Sequence, residues 1–222
     1  MDINKMRFAL SGKNKIDATP GAHGRCPGCD TEMIAKCGSV RVHHWAHKGT
    51  RHCDQWWESE TAWHRQWKSA FPTDWQEVII RKSDKWHIAD IETANGDVIE
   101  FQHSHIDPYE LYAREEFYGP RMIWVVDGTR LKRDHETFSR EIASQMLNQK
   151  HDGTVEFNPR SAQIAKRWDA SNRLVYLDFG DNNLWRISVG MRGPWQKHAK
   201  KFEKQKFIDT ILAQSTSLDD FY

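Results

Sequence analysis

Residues Trp86-His87-Ile88-Ala89-Asp90-Ile91-Glu92-Thr93 and Asp97-Val98-Ile99-Glu100-Phe101-Gln102-His103-Ser104 alternate apolar and polar side chains around Asn95-Gly96. Such alternation around Asn-Gly is a β-hairpin signal. Ala89, Ile91, Ile99 and Phe101 form one apolar face; Asp90, Glu100, Gln102 and Ser104 form the other. Turn length decides whether Asp90 joins Glu100. A two-residue Asn95-Gly96 loop sets Asp90 against Phe101 and separates the carboxylates. A three-residue loop, Ala94-Asn95-Gly96, sets Asp90 against Glu100 and needs Gly96 in the left-handed region. Only the odd loop keeps the four apolar residues on one face, because a one-residue slip moves every side chain to the other side. The expectation is therefore two carboxylates opposite one another, about 5 Å apart at Cβ, able to share a hard cation such as Mg²⁺.

Upstream, a helical pattern runs from Glu58 to Phe71 and ends at Pro72. Glu60, His64 and Lys68 stand at i, i+4 and i+8 and share one stripe, leaving Trp57, Trp63, Trp67 and Phe71 for packing. A carboxylate, an imidazole and an ammonium beside paired acids are the parts of metal-assisted phosphodiester hydrolysis. Periodicity also admits a plainer reading. A half-exposed hairpin shows polar residues to solvent, and a Glu–His–Lys stripe is an ordinary wet helix face.

Val78-Ile79-Ile80 reads as a strand, and Asp107-Pro108 caps a helix to about Tyr118. A buried strand, Met122 to Val126, ends at Asp127-Gly128, and a helix covers roughly 134–149. Leu174 to Val189 reads as a second hairpin around Asp181-Asn182-Asn183, and 196–213 as a basic, then amphipathic, helix. This order predicts an α+β fold with a mixed sheet flanked by helices.

Residues 22–55 are rich in Cys, His and Gly and poor in aliphatics, so a domain there needs a staple. Cys26-Pro27-Gly28-Cys29 is a CxxC knuckle, and His44-Trp45-Ala46-His47 offers two imidazoles. Both pairs together suit tetrahedral zinc, with the segment from Glu32 to Val42, Gly38 at its middle, as the connecting hairpin. Cys37, His43, His52 and Cys53 compete for the third and fourth positions. The four cysteines accompany no export signal at Met1-Asp2-Ile3-Asn4-Lys5. A metal site is thus favoured over disulfides, and a cytoplasmic location is expected.

Composition narrows the partners. With 32 basic and 31 acidic residues in 222, global charge does not announce nucleic acid, so any basic surface must be local. The 11 Trp suit a core before base stacking. No apolar run approaches the roughly 18 residues a membrane span needs.

These motifs together resemble the competence protein CoiA-like family of the PD-(D/E)XK nuclease superfamily, over about Ala9 to Asp127. Gly24-Arg25-Cys26-Pro27-Gly28-Cys29 and His44-Trp45-Ala46-His47 look like its N-terminal CPxC and HFAH elements. Glu60, His64 and Lys68 match its helix motif. Ala89-Asp90, Ile99-Glu100-Phe101-Gln102 and Ser104-His105-Ile106 resemble its catalytic hairpin, and Arg114 and Tyr118 match its following Arg and Tyr. The resemblance implies a restriction-endonuclease-like mixed sheet behind a small zinc-stapled β module. It implies that Asp90 and Glu100 bind Mg²⁺ or Mn²⁺ and that Glu60 with His64 completes the site. Gln102 stands where the superfamily usually has Lys, a departure shared by the family, and Lys68 is the candidate to assist instead. Ala89 replaces the usual Pro.

The implied organisation is a strand and zinc module in 1–56, a nuclease core in 57–150 and an extension in 151–222. The implied function is divalent-metal hydrolysis of DNA, in uptake and processing or in defence against foreign DNA. Arg114, Tyr118, Lys197, Lys200 and Lys201 are candidate nucleic-acid contacts, the lysines equally readable as a solvated helix face. Two other readings stay open. One is a non-catalytic nucleic-acid-binding or recombination-accessory protein that keeps the fold; the other is a zinc-stapled module that recruits a protein. Lys68→Met is expected to cut turnover and leave folding intact.

Overall fold

The computed structural model describes residues 6–49, 53, 54, 56, 58, 60–189 and 196–213. His52 and Trp57, weighed above as a ligand and a packing residue, lie outside the described residues. The chain divides into two compact units, Met1–Glu92 and Thr93–Tyr222.

The first unit opens with strands β1 (Phe8–Ser11), β2 (Asn14–Asp17), β3 (His23–Arg25), β4 (Glu32–Lys36) and β5 (His44–His47). They form a five-stranded antiparallel sheet in the order β2-β1-β3-β4-β5. Met6, just before β1, bridges Trp45 on β5, so the far edge is partly closed. Met6, Ala9, Ala18, Cys26, Met33 and Trp45 make a small apolar core. The expected hairpin around Gly38 is β4 and β5, joined by residues 37–43.

Helix α1 (Ala62–Lys68) and the hairpin of β6 (Gln76–Lys82) with β7 (Lys85–Glu92) complete this unit. The helix is shorter than the periodicity suggests. Thr61 keeps an extended backbone, and its hydroxyl accepts from the His64 N–H at 3.2 Å, which caps the helix there. Glu60 therefore precedes the cap. Asp54 ties the Cys/His segment to β7: its carboxylate meets His87 Nδ1 and accepts from the Ile88 N–H, each at 2.7 Å.

The second unit begins with the turn that decided the register. The Thr93 N–H donates to the Asp97 carbonyl, the Gly96 N–H donates to the Thr93 carbonyl, and Gly96 has φ +79. Ala94, Asn95 and Gly96 are thus the loop, the odd length that the apolar pattern requires. Then follow β8 (Val98–Gln102), α2 (Pro108–Tyr118), β9 (Met122–Asp127), α3 (Lys132–Gln145), β10 (Val155–Phe157), α4 (Gln163–Arg167), β11 (Leu174–Asp178), β12 (Asn183–Val189), β13 (Lys197–Glu203) and α5 (Lys204–Ala213). Within this unit the strand order is β10-β13-β12-β11-β9-β8. β8, β9 and β11 run parallel, joined by helical crossovers, and β12, β13 and β10 are antiparallel. It is the mixed sheet with flanking helices that was expected.

Glu100, Trp124, Val175, Ile187 and Ala199 form one row across the strands and share a face. That face carries α2, through Arg114 to Glu100 and Glu115 to Trp124, and α4, through Trp168, whose ring packs tilted against Trp124. The opposite face holds Tyr176 against Phe207 of α5.

One element differs in kind. Residues 197–203 form a strand, not the first half of a helix. Lys and Ala favour helix, but β12 offers a full ladder from Asn183 to Val189 against this segment, and Ala199 is fully buried in it. Tertiary pairing overrides a propensity difference of a few tenths of a kcal/mol per residue.

Candidate functional site

In the first unit, Glu60, His64, Lys68 and Glu77 are all buried, between 2% and 7% exposed. The Glu–His–Lys stripe is therefore not a wet helix face. Lys68 Nζ lies 2.5 Å from Glu60 Oε2, 2.9 Å from Glu77 Oε1 and 3.7 Å from Asp90 Oδ1. Arg65 reaches the other Glu60 oxygen at 3.3 Å. Burial works to lower the Lys68 pKa, but the carboxylates of Glu60, Glu77 and Asp90 overcome it and leave it above the ordinary lysine value. Lys68 is thus a fixed ammonium.

Glu77 carried no sequence signal. It sits at φ +49, where the regular strand alternation is interrupted, so periodicity could not place its side chain. Its carboxylate also accepts from the backbone N–H groups of Arg7 and Phe8 at 2.9 and 3.0 Å. Burial pushes its pKa up, and Lys68 with those two donors brings it below the usual range. His64 bonds Thr61 Oγ1 through Nδ1 at 2.9 Å and Glu58 Oε2 through Nε2 at 3.1 Å. Burial lowers its pKa, while Glu58 and Asp90 more than reverse this.

In the second unit every residue of β8 is buried, so Glu100 and Gln102 do not face solvent, as a half-exposed hairpin would have them. Glu100 Oε2 accepts from Arg114 Nη1 at 3.0 Å, and Arg114 also pairs with Glu110. Burial would lower the Arg114 pKa; Glu100 and Glu110 reverse that and leave it raised. Gln102 donates through Nε2 to the Ser104 carbonyl, while its buried Oε1 has no hydrogen-bond partner among the described residues.

The candidate nucleic-acid contacts need correction. Arg114 and Tyr118 are 5% and 7% exposed, inside the domain and not on a contact surface. Lys197 is 3% exposed and pairs with Asp169. As neighbours on a strand, Lys200 and Lys201 point to opposite faces, and Lys200 lies 3.5 Å from Asp152. The linear run thus forms no single basic stripe.

The candidate metal centre of the first unit is Cys26, Cys29, His47 and Cys53, whose ligand atoms all lie within 4.8 Å of one another. Cys26 and Cys53 sulfurs are 3.5 Å apart, too far for a disulfide of about 2.05 Å. Cys29 Sγ is 3.3 Å from His47 Nε2. These separations are near the roughly 3.8 Å edge of a tetrahedron with Zn–S of about 2.3 Å. The hydrogen bond with Cys53 pushes the Cys26 thiol down to about 4, and the shared proton pushes Cys53 up. His44, expected as a ligand, lies outside this cluster. It lies on β5 with His47, and residues three apart on a strand face opposite ways. Its Nδ1 instead meets the Val42 carbonyl at 2.8 Å. Cys53, one of the four competing candidates, is in the cluster instead, and Cys37 and His43 stay outside it.

A mixed sheet with helical crossovers, preceded in sequence by a small antiparallel sheet with a Cys₃His cluster, defines a nuclease-like α+β protein. Residues 13–55 match the N-terminal domain of competence protein CoiA, and residues 86–187 match its nuclease-like domain. The chain belongs to the competence protein CoiA family, the two matches covering about two thirds of it. No curated protein and no solved structure matches it. No described helix is long and apolar enough to cross a membrane.

Proposed function

We propose that this protein is a divalent-metal-dependent nuclease that hydrolyses DNA phosphodiester bonds, in DNA processing and uptake or in defence against foreign DNA. The observation that carries the reading is the buried cluster of Glu60, Lys68 and Glu77 beside Asp90. Buried charges cost several kcal/mol each and are weak contributors to stability, so such a group in a nuclease-like protein points to chemistry. Asp90 and Glu100 would supply the ligands of Mg²⁺ or Mn²⁺, and Glu60 and His64 would complete the site. Hard carboxylate oxygens suit these ions. The turn supports the pairing: the Thr93 N–H donates to the Asp97 carbonyl around three residues, the odd loop length that the apolar alternation requires. The bound cation would polarise the phosphate and lower the pKa of a coordinated water.

The chain's own groups divide the remaining work. Lys68, held protonated, stabilises negative charge developing on the phosphate and does not act as a base. Gln102 Oε1, an available acceptor, orients the attacking water where the superfamily uses Lys. Arg114 holds Glu100 in place. Cys26, Cys29, His47 and Cys53 bind zinc as a closed, structural site, which leaves no open position for chemistry.

One observation favours a second reading. Glu100 is already engaged by a buried guanidinium, as a scaffold carboxylate would be in a non-catalytic nucleic-acid-binding protein. Cleavage of supercoiled, linear and single-stranded DNA, with and without Mg²⁺ or Mn²⁺, separates the two. Metal-dependent cleavage that is lost in Glu100→Ala supports the nuclease. DNA binding with no cleavage under any metal, or full cleavage by Glu100→Ala, overturns it.

A further inference from the structure

The chain as a whole balances its charges, with 32 bases and 31 acids, but the stretch between Glu32 and Asp54 does not. Residues 33–53 contain Lys36, Arg41, Lys48 and Arg51 and no carboxylate. Most of this stretch is the β4–β5 hairpin of the first unit. His47, a member of the Cys/His cluster, stands across from Met33 near the base of the hairpin. Lys36 stands across from His44 at the other end, where the strands give way to the loop of residues 37–43. Those two rungs are three residues apart, so the loop begins about 10 Å from the His47 rung.

Both ends of the loop are held. Cys37 packs against the small core, the Val42 carbonyl meets His44 Nδ1 at 2.8 Å, and the His43 carbonyl accepts from Arg65 Nη2 at 2.7 Å. Between these anchors Gly38, Ser39, Val40 and Arg41 are exposed, Val40 at 93%. Lys36 is exposed as well, on the face opposite the inward-packing Ala35. Among the described residues neither Lys36 nor Arg41 makes an ion pair or a hydrogen bond through its side chain. The acids nearest in sequence are already engaged. Glu32 lies 3.0 Å from Lys48, Asp30 lies 2.7 Å from Arg25, and Asp54 holds His87 and the Ile88 N–H. Neither core packing nor internal pairing accounts for an exposed valine beside two cations on a loop fixed at both ends.

Cations without neighbouring acids attract a polyanion, and on nucleic acid each phosphate they neutralise releases condensed counterions. Shape narrows the choice further. The major groove of B-DNA, about 12 Å wide, admits a two-stranded β-ribbon, and paired strands lie only about 4.8 Å apart. An apolar side chain at the tip of such a ribbon can rest in the groove while cations beside it reach the phosphates at its border. We propose that the tip of the β4–β5 hairpin binds duplex DNA, with Lys36 and Arg41 on phosphates and Val40 in the groove. Phosphate contacts of this kind hold and orient a duplex without reading its sequence. The choice of DNA among polyanions rests on the nuclease reading; the cationic tip does not.

The test is fluorescence anisotropy of a labelled DNA duplex with the full-length protein across a range of salt. No divalent metal is added, so cleavage has no part in the readout, and the cleavage assay above judges the nuclease reading separately. Each phosphate contact adds about 0.9 to the slope of log affinity against log salt. Lys36→Gln and Arg41→Gln should each lower that slope by about 1 and weaken binding roughly 8-fold at about 0.1 M salt, relative to a reference of about 1 M. Val40→Glu, which adds a carboxylate to the tip, should weaken it too. Lys132→Gln is the charge-matched control, its parent side chain being 91% exposed on α3, and should bind like the parent. Far-UV dichroism and thermal melting confirm that each variant is folded. An RNA duplex of the same sequence, whose major groove is too narrow to enter, should bind more weakly. The proposal is overturned by no binding of duplex DNA, or by folded Lys36 and Arg41 variants that bind like the parent. A Lys132→Gln loss as large as theirs, or equal binding of the RNA duplex or of polyglutamate, overturns it as well.

Discussion

Lys68→Met tests the buried cluster without reference to catalysis. The substitution keeps most of the side-chain volume and removes one charge. It leaves Glu60 and Glu77, each about 3% exposed at the side chain, without the ammonium 2.5 and 2.9 Å away. Arg65 remains on one Glu60 oxygen, and two backbone donors remain on Glu77. Removing one partner of a buried ion pair costs about 3–5 kcal/mol, because the other charge stays buried. For a chain of this size each kcal/mol moves Tm by roughly 2–4 °C, so a fall on the order of 10 °C is expected. Folding would then not be left intact, in contrast to the expectation that accompanied Lys68 as stand-in for the motif lysine. Thermal and urea unfolding at pH 7 followed by tryptophan fluorescence measure the effect. Adding Glu77→Gln should recover part of the loss, since it removes the uncompensated charge. A Lys68→Met protein within about 1 kcal/mol of the parent would show that the cluster is not held as described.

Cys53→Ser should release the zinc and lower Tm, whereas His44→Ala should keep one zinc per chain; elemental analysis of each purified protein decides between the two ligand sets. Gly28→Ala should destabilise by about 1–3 kcal/mol in urea unfolding, because its Cβ would stand 2.6 Å from the Trp86 ring and force the knuckle off β7. Burial pushes the Asp127 pKa up, but hydrogen bonds from His103 and Thr129 bring it below the ordinary value. Its folded pKa lies below the unfolded one, so the stability it adds is present above about pH 4 and is lost as pH falls through the folded value. The urea midpoints of parent and Asp127→Asn should therefore differ at pH 7 and converge towards pH 3; a constant gap refutes the assignment.

Much of the fold was legible because local rules sufficed. The Ala94-Asn95-Gly96 loop followed from alternation plus one glycine able to take positive φ. The Asp107-Pro108 cap, the buried Met122–Asp127 strand and the β11–β12 hairpin likewise needed only periodicity and turn chemistry. CxxC placed Cys26 and Cys29 together because two residues of spacing hold in any tight turn.

What failed depended on neighbours distant in sequence. His44 and His47 converge on a helix but diverge on a strand, and only the ladder with β4 made that segment a strand. Cys53 joined the cluster because the chain returns to Cys26 after 27 residues, and spacing carries no information about such a return. Lys197–Glu203 became a strand because β12 needed a partner, which also split its lysines between two faces. Glu77 was invisible because positive φ breaks the alternation from which side-chain direction is read. The sequence by itself thus determined the order of elements, the odd turn, and which residue types could do chemistry. Tertiary structure alone decided which charges are buried together, because burial and pairing depend on contacts between segments that no local periodicity encodes.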